Sequence, residues 1–251
     1  MSFINIIIIL GNAFLQFSRE IVIVRGLADA GFFLPHSAVK GRNDFDSSMR
    51  RVFLFANMSA GTTPDCLNSP ISFLDKENII FKDTHRKVRL SELQKQLTKC
   101  AFAGNLLPQI RTPTFTLHSQ YDSWQAWNVL GDGHNRTAMN EFGGRLSASL
   151  LQSISSARTD HSSSVPIGLH GAFIDSCSHH CSNCPYSYSN STSEHWQSTL
   201  FSTTSARLFL VWMHATALWE KGGNSSQFGN VSFSAFDNQP YPCKKCCQCA
   251  Y

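Results

Sequence analysis

The chain has 251 residues, a formal net charge of +4 from 21 Lys+Arg against 17 Asp+Glu, and nine cysteines. That length supports one domain with a sizeable core and is too long for a small disulfide scaffold. Aromatic residues make up 12%, against wholesale disorder, and the basic excess forms no Lys/Arg block, so no nucleic-acid footprint is expected.

In chain order, residues 1–18 hold the apolar run Ile6 to Leu10, followed by Gly11, Asn12 and Ala13. The run has the character of a signal-peptide core, but no positively charged residues precede it and Asn5 interrupts it. It reads as a signal-like leader, a buried strand, or sequence outside the mature domain. No apolar run reaches the roughly 20 residues that a bilayer span requires, so no stable membrane span is expected.

Residues 20–35 read as a β-branched strand meeting a glycine-bearing turn. Arg50 to Met58 is short and apolar, either helix or strand. Leu90, Leu93, Leu97 and Ala101 recur at helical spacing, which predicts a helix over 90–103 with Ser91 as its cap. Thr114 to His118 alternates as a strand and runs into the loop Ser119 to Trp124. Phe142, Leu146, Leu150 and Ile154 predict a second helix over 141–154. A serine-rich connector, 158–164, leads to a strand over 165–174 and the cluster Asp175 to Cys181. Residues 182–194 are a low-complexity loop, and 205–221 read as a closing amphipathic helix. The tail packs Cys243, Cys246, Cys247 and Cys249 together.

This order predicts an α/β sheet flanked by helices, in which functional groups sit where strand C-termini run into loops. The two such loops carry Asp122 and His180. An acid after one late strand and a histidine after the next form the Asp…His half of a hydrolase triad ordered Ser…Asp…His. In that chemistry a buried carboxylate fixes the imidazole tautomer, and the imidazole takes a proton from a serine hydroxyl.

Four segments carry a family resemblance. Leu27-Ala28-Asp29-Ala30-Gly31-Phe32-Phe33 resembles the "SDAGFF" stretch of plant-type pectin acetylesterases, relatives of the Notum carboxylesterases. Thr112 to Phe115 and Tyr121-Asp122-Ser123-Trp124-Gln125 resemble the segment that carries the family's catalytic acid. Phe173 to Cys181 resembles "FINSCFAHCQ", which places the catalytic histidine on His180 and puts His179 where the family has a small residue. Pro240-Tyr241-Pro242-Cys243 is similar to the C-terminal "CPYPC". The resemblance implies an α/β-hydrolase-like fold, Asp122 and His180 as catalytic residues, and an acetylated, pectin-like polysaccharide as substrate. It implies a secreted protein of the cell wall.

The family's nucleophile lies in a Gly-Cys-Ser-Ala-Gly-Gly turn ahead of the "DAGFF" stretch. Nothing similar precedes Leu27 here, and no Gly-x-Ser-x-Gly occurs anywhere. Asn57-Met58-Ser59-Ala60-Gly61 echoes that turn, but it lacks the first glycine and follows the "DAGFF" match. Ser59 is therefore read as a sequon serine. The expected organisation is a leader unrelated in character over 1–24 and the C-terminal portion of a pectin acetylesterase-like domain over 25–251, its N-terminal part missing. The alternatives are Notum-like deacylation of a protein, or a truncated, non-catalytic secreted relative that binds glycan or a partner.

The sequons at Asn57, Asn135, Asn190, Asn224 and Asn230 and the nine cysteines point to an oxidising, glycosylating route. Cys177, Cys181 and Cys184 with His179 and His180 have the ligand types of a zinc site, as do the tail cysteines, but the spacings are not a clean pair of knuckles. Structural disulfides are expected instead, with no metal or cofactor. Cys66 and Cys100 are placed to close a loop over the helix at 90–103. Trp124 and Trp127 are read as core packing before carbohydrate lining, His118 and His134 as surface or hydrogen-bonded groups, and Arg86, Lys87 and Arg89 as a solvated basic face. The sequence leaves oligomeric state open.

Overall fold

Phe115, Leu117 and Phe173 point to one side of their strands and Ala172 and Ile174 to the other, so these strands need cover on both faces. The computed structural model provides it. It describes residues 24–36, 45–68, 80–83, 86–89, 92–159, 169–181, 199–200, 203–220 and 233–243. The main sheet has four parallel strands: β1 (Gly26–Asp29), β4 (Thr114–Ser119), β5 (Gly171–Asp175) and β8 (Ser234–Phe236), adjacent in that order. Two antiparallel ribbons stand apart from it, β2 (Ile80–Asp83) with β3 (Arg86–Arg89) and β6 (Thr199–Leu200) with β7 (Thr203–Thr204). This is an α/β fold with a helix-flanked parallel sheet, as expected.

Helix α6 (Arg136–Thr159) covers one face, burying Phe142, Leu146, Leu150 and Ile154 at the predicted spacing. It begins earlier than the apolar pattern indicates because Asn135 caps it, Oδ1 accepting the Ala138 N–H at 3.0 Å. Helix α7 (Ser205–Glu220) covers the other face through Leu208, Trp212 and Ala215. Its other apolar residues, Leu210, Val211 and Leu218, are exposed. The ambiguous segment Arg50 to Met58 is helical as far as Phe55: helix α1 (Phe45–Phe55) begins before it, and buried Arg50 pairs with Asp46 at 3.1 Å.

The helix expected over 90–103 is broken. The short helices α2 (Pro64–Asn68), α3 (Glu92–Thr98) and α4 (Ala103–Leu106) pack around a disulfide between Cys66 and Cys100, whose Cα atoms are 6.1 Å apart. Past Thr98 the chain tightens into a 3₁₀ turn, and buried Phe102 is extended at φ −108°. Helical spacing therefore persists only to the point where the cross-link and the burial of Phe102 redirect the backbone. Leu90 and Ser91, with residues 1–23, 160–168 and 182–198, lie outside the described residues.

The Cys66–Cys100 bridge closes a sequence separation of 34 residues. Replacing both cysteines by serine is expected to lower unfolding free energy by about 2–4 kcal/mol. Denaturant unfolding of the double variant measures it, and an unchanged midpoint contradicts a stabilising role.

Candidate active site

The site is built where β4 and β5 end side by side, Ser119 opposite Asp175. The Gln120 N–H donates to the Asp175 carbonyl at 2.7 Å, and the Ser119 hydroxyl donates to the Cys177 carbonyl. The turn after β4 is thus strapped to the end of β5. Tyr121 enters the core, its hydroxyl donating to the Gln239 carbonyl at 2.6 Å, and burial pushes its phenol above the ordinary value. Helix α6 crosses this turn closely. A side chain at Gly143 would stand 2.9 Å from the Gln120 carbonyl oxygen and 2.6 Å from the Tyr121 ring, so only glycine fits there.

This strapping delivers Asp122 to the N-terminus of a short helical turn, α5 (Ser123–Gln125). Its Oδ1 accepts the Gln125 N–H at 2.7 Å, and its side chain is fully buried. On the neighbouring loop, the His179 carbonyl accepts the Ser123 N–H at 3.0 Å, which draws the histidine loop onto the acid loop. His180 Nδ1 then lies 2.9 Å and 3.1 Å from the two Asp122 carboxylate oxygens. With Nδ1–H donating to the carboxylate, Nε2 keeps its lone pair, as a general base requires. The His180 side chain is 32% exposed, enough for a reacting group to approach. The indole of Trp124 stacks on it, centroids 5.8 Å apart and planes 28° from parallel. The structure therefore brings Asp122 and His180 together across 58 residues.

A second pair stands beside the first. His179 Nε2 lies 3.0 Å from both carboxylate oxygens of Asp175. Asp175 also accepts the Cys177 N–H at 2.9 Å. Burial pulls the His179 imidazole down, but the charge and hydrogen bond of Asp175, with the nearby charges of Asp122 and Asp29, outweigh it and leave the imidazole above its ordinary value. In the sequence His179 stands out as a departure from the family motif and as one of the zinc-type ligands, not as the partner of Asp175. The signal for its role was an aspartate four residues earlier at the end of a predicted strand.

The remaining candidates divide. Ser59 sits after α1 in a short 3₁₀ turn, its hydroxyl donating to Asn57 Oδ1 at 3.3 Å, and the hydrogen bonds of the His180 ring go to Asp122. His118 is buried, with ring nitrogens 2.8 Å from the Ser119 and Phe32 carbonyls, so it ties β4 to the turn after β1. Trp124 and Trp127 are 38% and 46% exposed, which corrects their reading as core residues: the turn that carries them buries Ala126, Val129 and Leu130 instead. Cys177, Cys181 and Cys243 are in disulfides, and a disulfide sulfur is not a thiolate ligand. Among the described residues no group of three or more His, Cys, Asp or Glu could hold a metal ion.

Because folding raises the affinity of His179 for its proton, its contribution to stability is fully present below the ordinary histidine range. It is lost as pH rises through the raised folded value. The stability difference between the native chain and His179→Ala is therefore expected to shrink from mildly acidic to alkaline pH. Thermal unfolding across that range measures it, and a difference that grows with pH contradicts the assignment.

The profile of the Pectinacetylesterase family matches residues 8–248. The fold is similar to that of a solved structure of the Wnt deacylase Notum from Drosophila, with a TM-score of 0.54 and 16% sequence identity. That similarity covers 85% of this chain and 51% of the other, so the chain spans about half the length of the structure it matches. It supports an α/β-hydrolase-like fold. With the family profile extending over nearly all of its length, the chain belongs to the pectinacetylesterase family.

Proposed function

We propose that this chain is the acid–base portion of a serine carboxylesterase that removes acetyl groups from a cell-wall polysaccharide such as pectin, outside the cell. The observation that carries the reading is the buried Asp122 carboxylate on Nδ1 of the partly exposed His180. Family membership supports the ester chemistry and the polysaccharide class. The extracellular setting is supported by the Cys66–Cys100 bridge, of a kind that persists in oxidising compartments, and by exposed sequon asparagines at Asn57 and Asn135.

In this mechanism His180 Nε2 takes the proton from a serine hydroxyl as its oxygen attacks the acetyl carbonyl. Asp122 stabilises the imidazolium that forms. His180 then gives the proton to the leaving sugar oxygen, and an acetyl-serine remains. Water, deprotonated by the same imidazole, attacks the acetyl carbonyl, and the imidazolium returns that proton to the serine oxygen as the acyl–serine bond breaks and the acetyl group leaves as acetate. The serine is not assigned to these 251 residues: they contain no Gly-x-Ser-x-Gly, and Ser59 bonds Asn57. That geometry favours one second reading, a chain that binds acetylated polysaccharide without turning it over.

The 251-residue protein is expected to hydrolyse p-nitrophenyl acetate no faster than background. Titratable turnover that survives Ser59→Ala would overturn the absence of a nucleophile. In a version extended by a pectinacetylesterase segment carrying Gly-x-Ser-x-Gly, turnover is expected, and Asp122→Asn should lower kcat by about 10⁴-fold. Undiminished turnover in that variant removes Asp122 from the assigned role.

A further inference from the structure

The turn after the acid loop carries two tryptophans that packing does not bury. Helix α5 continues into a π-helical turn over Ala126–Leu130, a geometry concentrated at functional sites. Trp124 and Trp127 are three residues apart where the two turns join, and both are partly exposed. Trp124 is held by contacts with the stacked ring of His180 and the edge-on rings of Phe33 and Phe45, the latter with centroids 5.5 Å and 5.8 Å away, and stays partly exposed.

Trp127 is seated differently. Gly133 lies so close against its ring that an added Cβ would be 2.9 Å from Cε2 and 3.1 Å from Cζ2. His134 packs against the same indole, centroids 4.7 Å apart and planes at 83°. The backbone at Gly133 thus backs one face of the ring, and the 46% that remains exposed is offered to solvent. Both rings are held in place before any ligand arrives, so stacking on them costs little side-chain entropy.

We propose that Trp124 and Trp127 form a carbohydrate-binding ledge leading away from His180, on which the C–H face of a pyranose ring stacks while its acetyl group reaches the imidazole. The inference rests on the polysaccharide esterase reading and adds to it the place where the polymer lies. A pyranose presents a flat patch of C–H groups on one face and hydroxyls around its rim, which suits an open aromatic surface wetted at its edges. A long acyl chain instead needs an enclosed cavity that buries it on all sides. Trp124 touches the catalytic ring and holds the reacting sugar, and Trp127 holds the next one along the chain.

The test is direct binding, by calorimetry, of chemically acetylated tetragalacturonate to the purified 251-residue protein, which needs no turnover. The native chain is expected to bind, and Trp127→Ala to bind about tenfold more weakly or worse. Trp127→Phe should restore most of the affinity, and Leu210→Ala, on α7, should leave it unchanged. Circular dichroism confirms that each variant is folded. Equal affinity in Trp127→Ala and the native chain, or no binding by the native chain, overturns the ledge. Hydrolysis assays on the serine-bearing extended version separate the two readings. Turnover of acetylated pectin with a KM indifferent to Trp127→Ala keeps the esterase and discards the ledge. Trp127-dependent binding with no turnover in that version keeps the ledge and discards the esterase.

Discussion

Two neighbouring parallel strands that end level with each other are the constraint on which the site depends. Ser119 and Asp175 are paired in register at the last rung of β4 and β5, so the loops that follow leave the sheet at the same edge. Parallel strands place like ends together, and their loops have nowhere to go but past one another. Here they are also stitched, through Gln120 to Asp175, Ser119 to Cys177 and Ser123 to His179. Each stitch satisfies a backbone group that would otherwise be buried without a partner. A one-residue slip of β5 would turn every side chain on that strand to the opposite face and exchange Phe173 for Ala172 and Ile174 in the two cores. The geometry of the Asp122–His180 pair is thus protected by the same packing that sets the register.

The carboxylates at this edge bring an electrostatic demand. Asp122 is fully buried and Asp175 nearly so, with Asp29 close enough for its charge to be felt at His179. Buried charges persist when hydrogen bonds and opposite charges compensate the lost water. Asp122 receives the Gln125 N–H and His180, and Asp175 receives the Cys177 N–H and His179. The two histidines differ in consequence. His180 is the more exposed and is stacked on Trp124, whereas His179 is the more buried and, beside the charges of Asp175, Asp122 and Asp29, holds its proton more tightly than an ordinary imidazole. Adjacent residues of one type are given different roles by where their partners stand.

The first core, between the sheet and α6, extends under the site through Tyr121, Ala126, Val129 and Leu130. The turn carrying Trp124 and Trp127 is therefore anchored from below by its apolar residues while its tryptophans face out. The same turn supplies Asp122, the ring that stacks on His180 and the exposed aromatic surface. Its position depends on the close approach of α6 at Gly143, where any side chain would push against Tyr121 and the backbone of Gln120.

Much of this was legible in the residues alone. The four-residue spacing of Phe142, Leu146, Leu150 and Ile154 marked the buried face of α6, because a helix that covers a sheet must repeat its apolar contacts every turn. The Tyr121-Asp122-Ser123-Trp124 box and the histidine before Cys181 named Asp122 and His180 as the candidate acid and base, and the fold places these two side chains in hydrogen-bond contact. The pairing of Cys66 with Cys100 was also within reach of sequence. Tertiary structure decided the rest. The break after Thr98 comes from a cross-link and from Phe102 turning into the core, neither of which a one-dimensional hydrophobic period registers. Trp124 and Trp127 look like core residues by composition, yet their exposure depends on which side of the turn meets the sheet. The contact of His180 with Asp122, and the place of the local His179–Asp175 pair beside it, follow from two loops meeting across 58 residues, a distance over which sequence names the groups and only the fold brings them together.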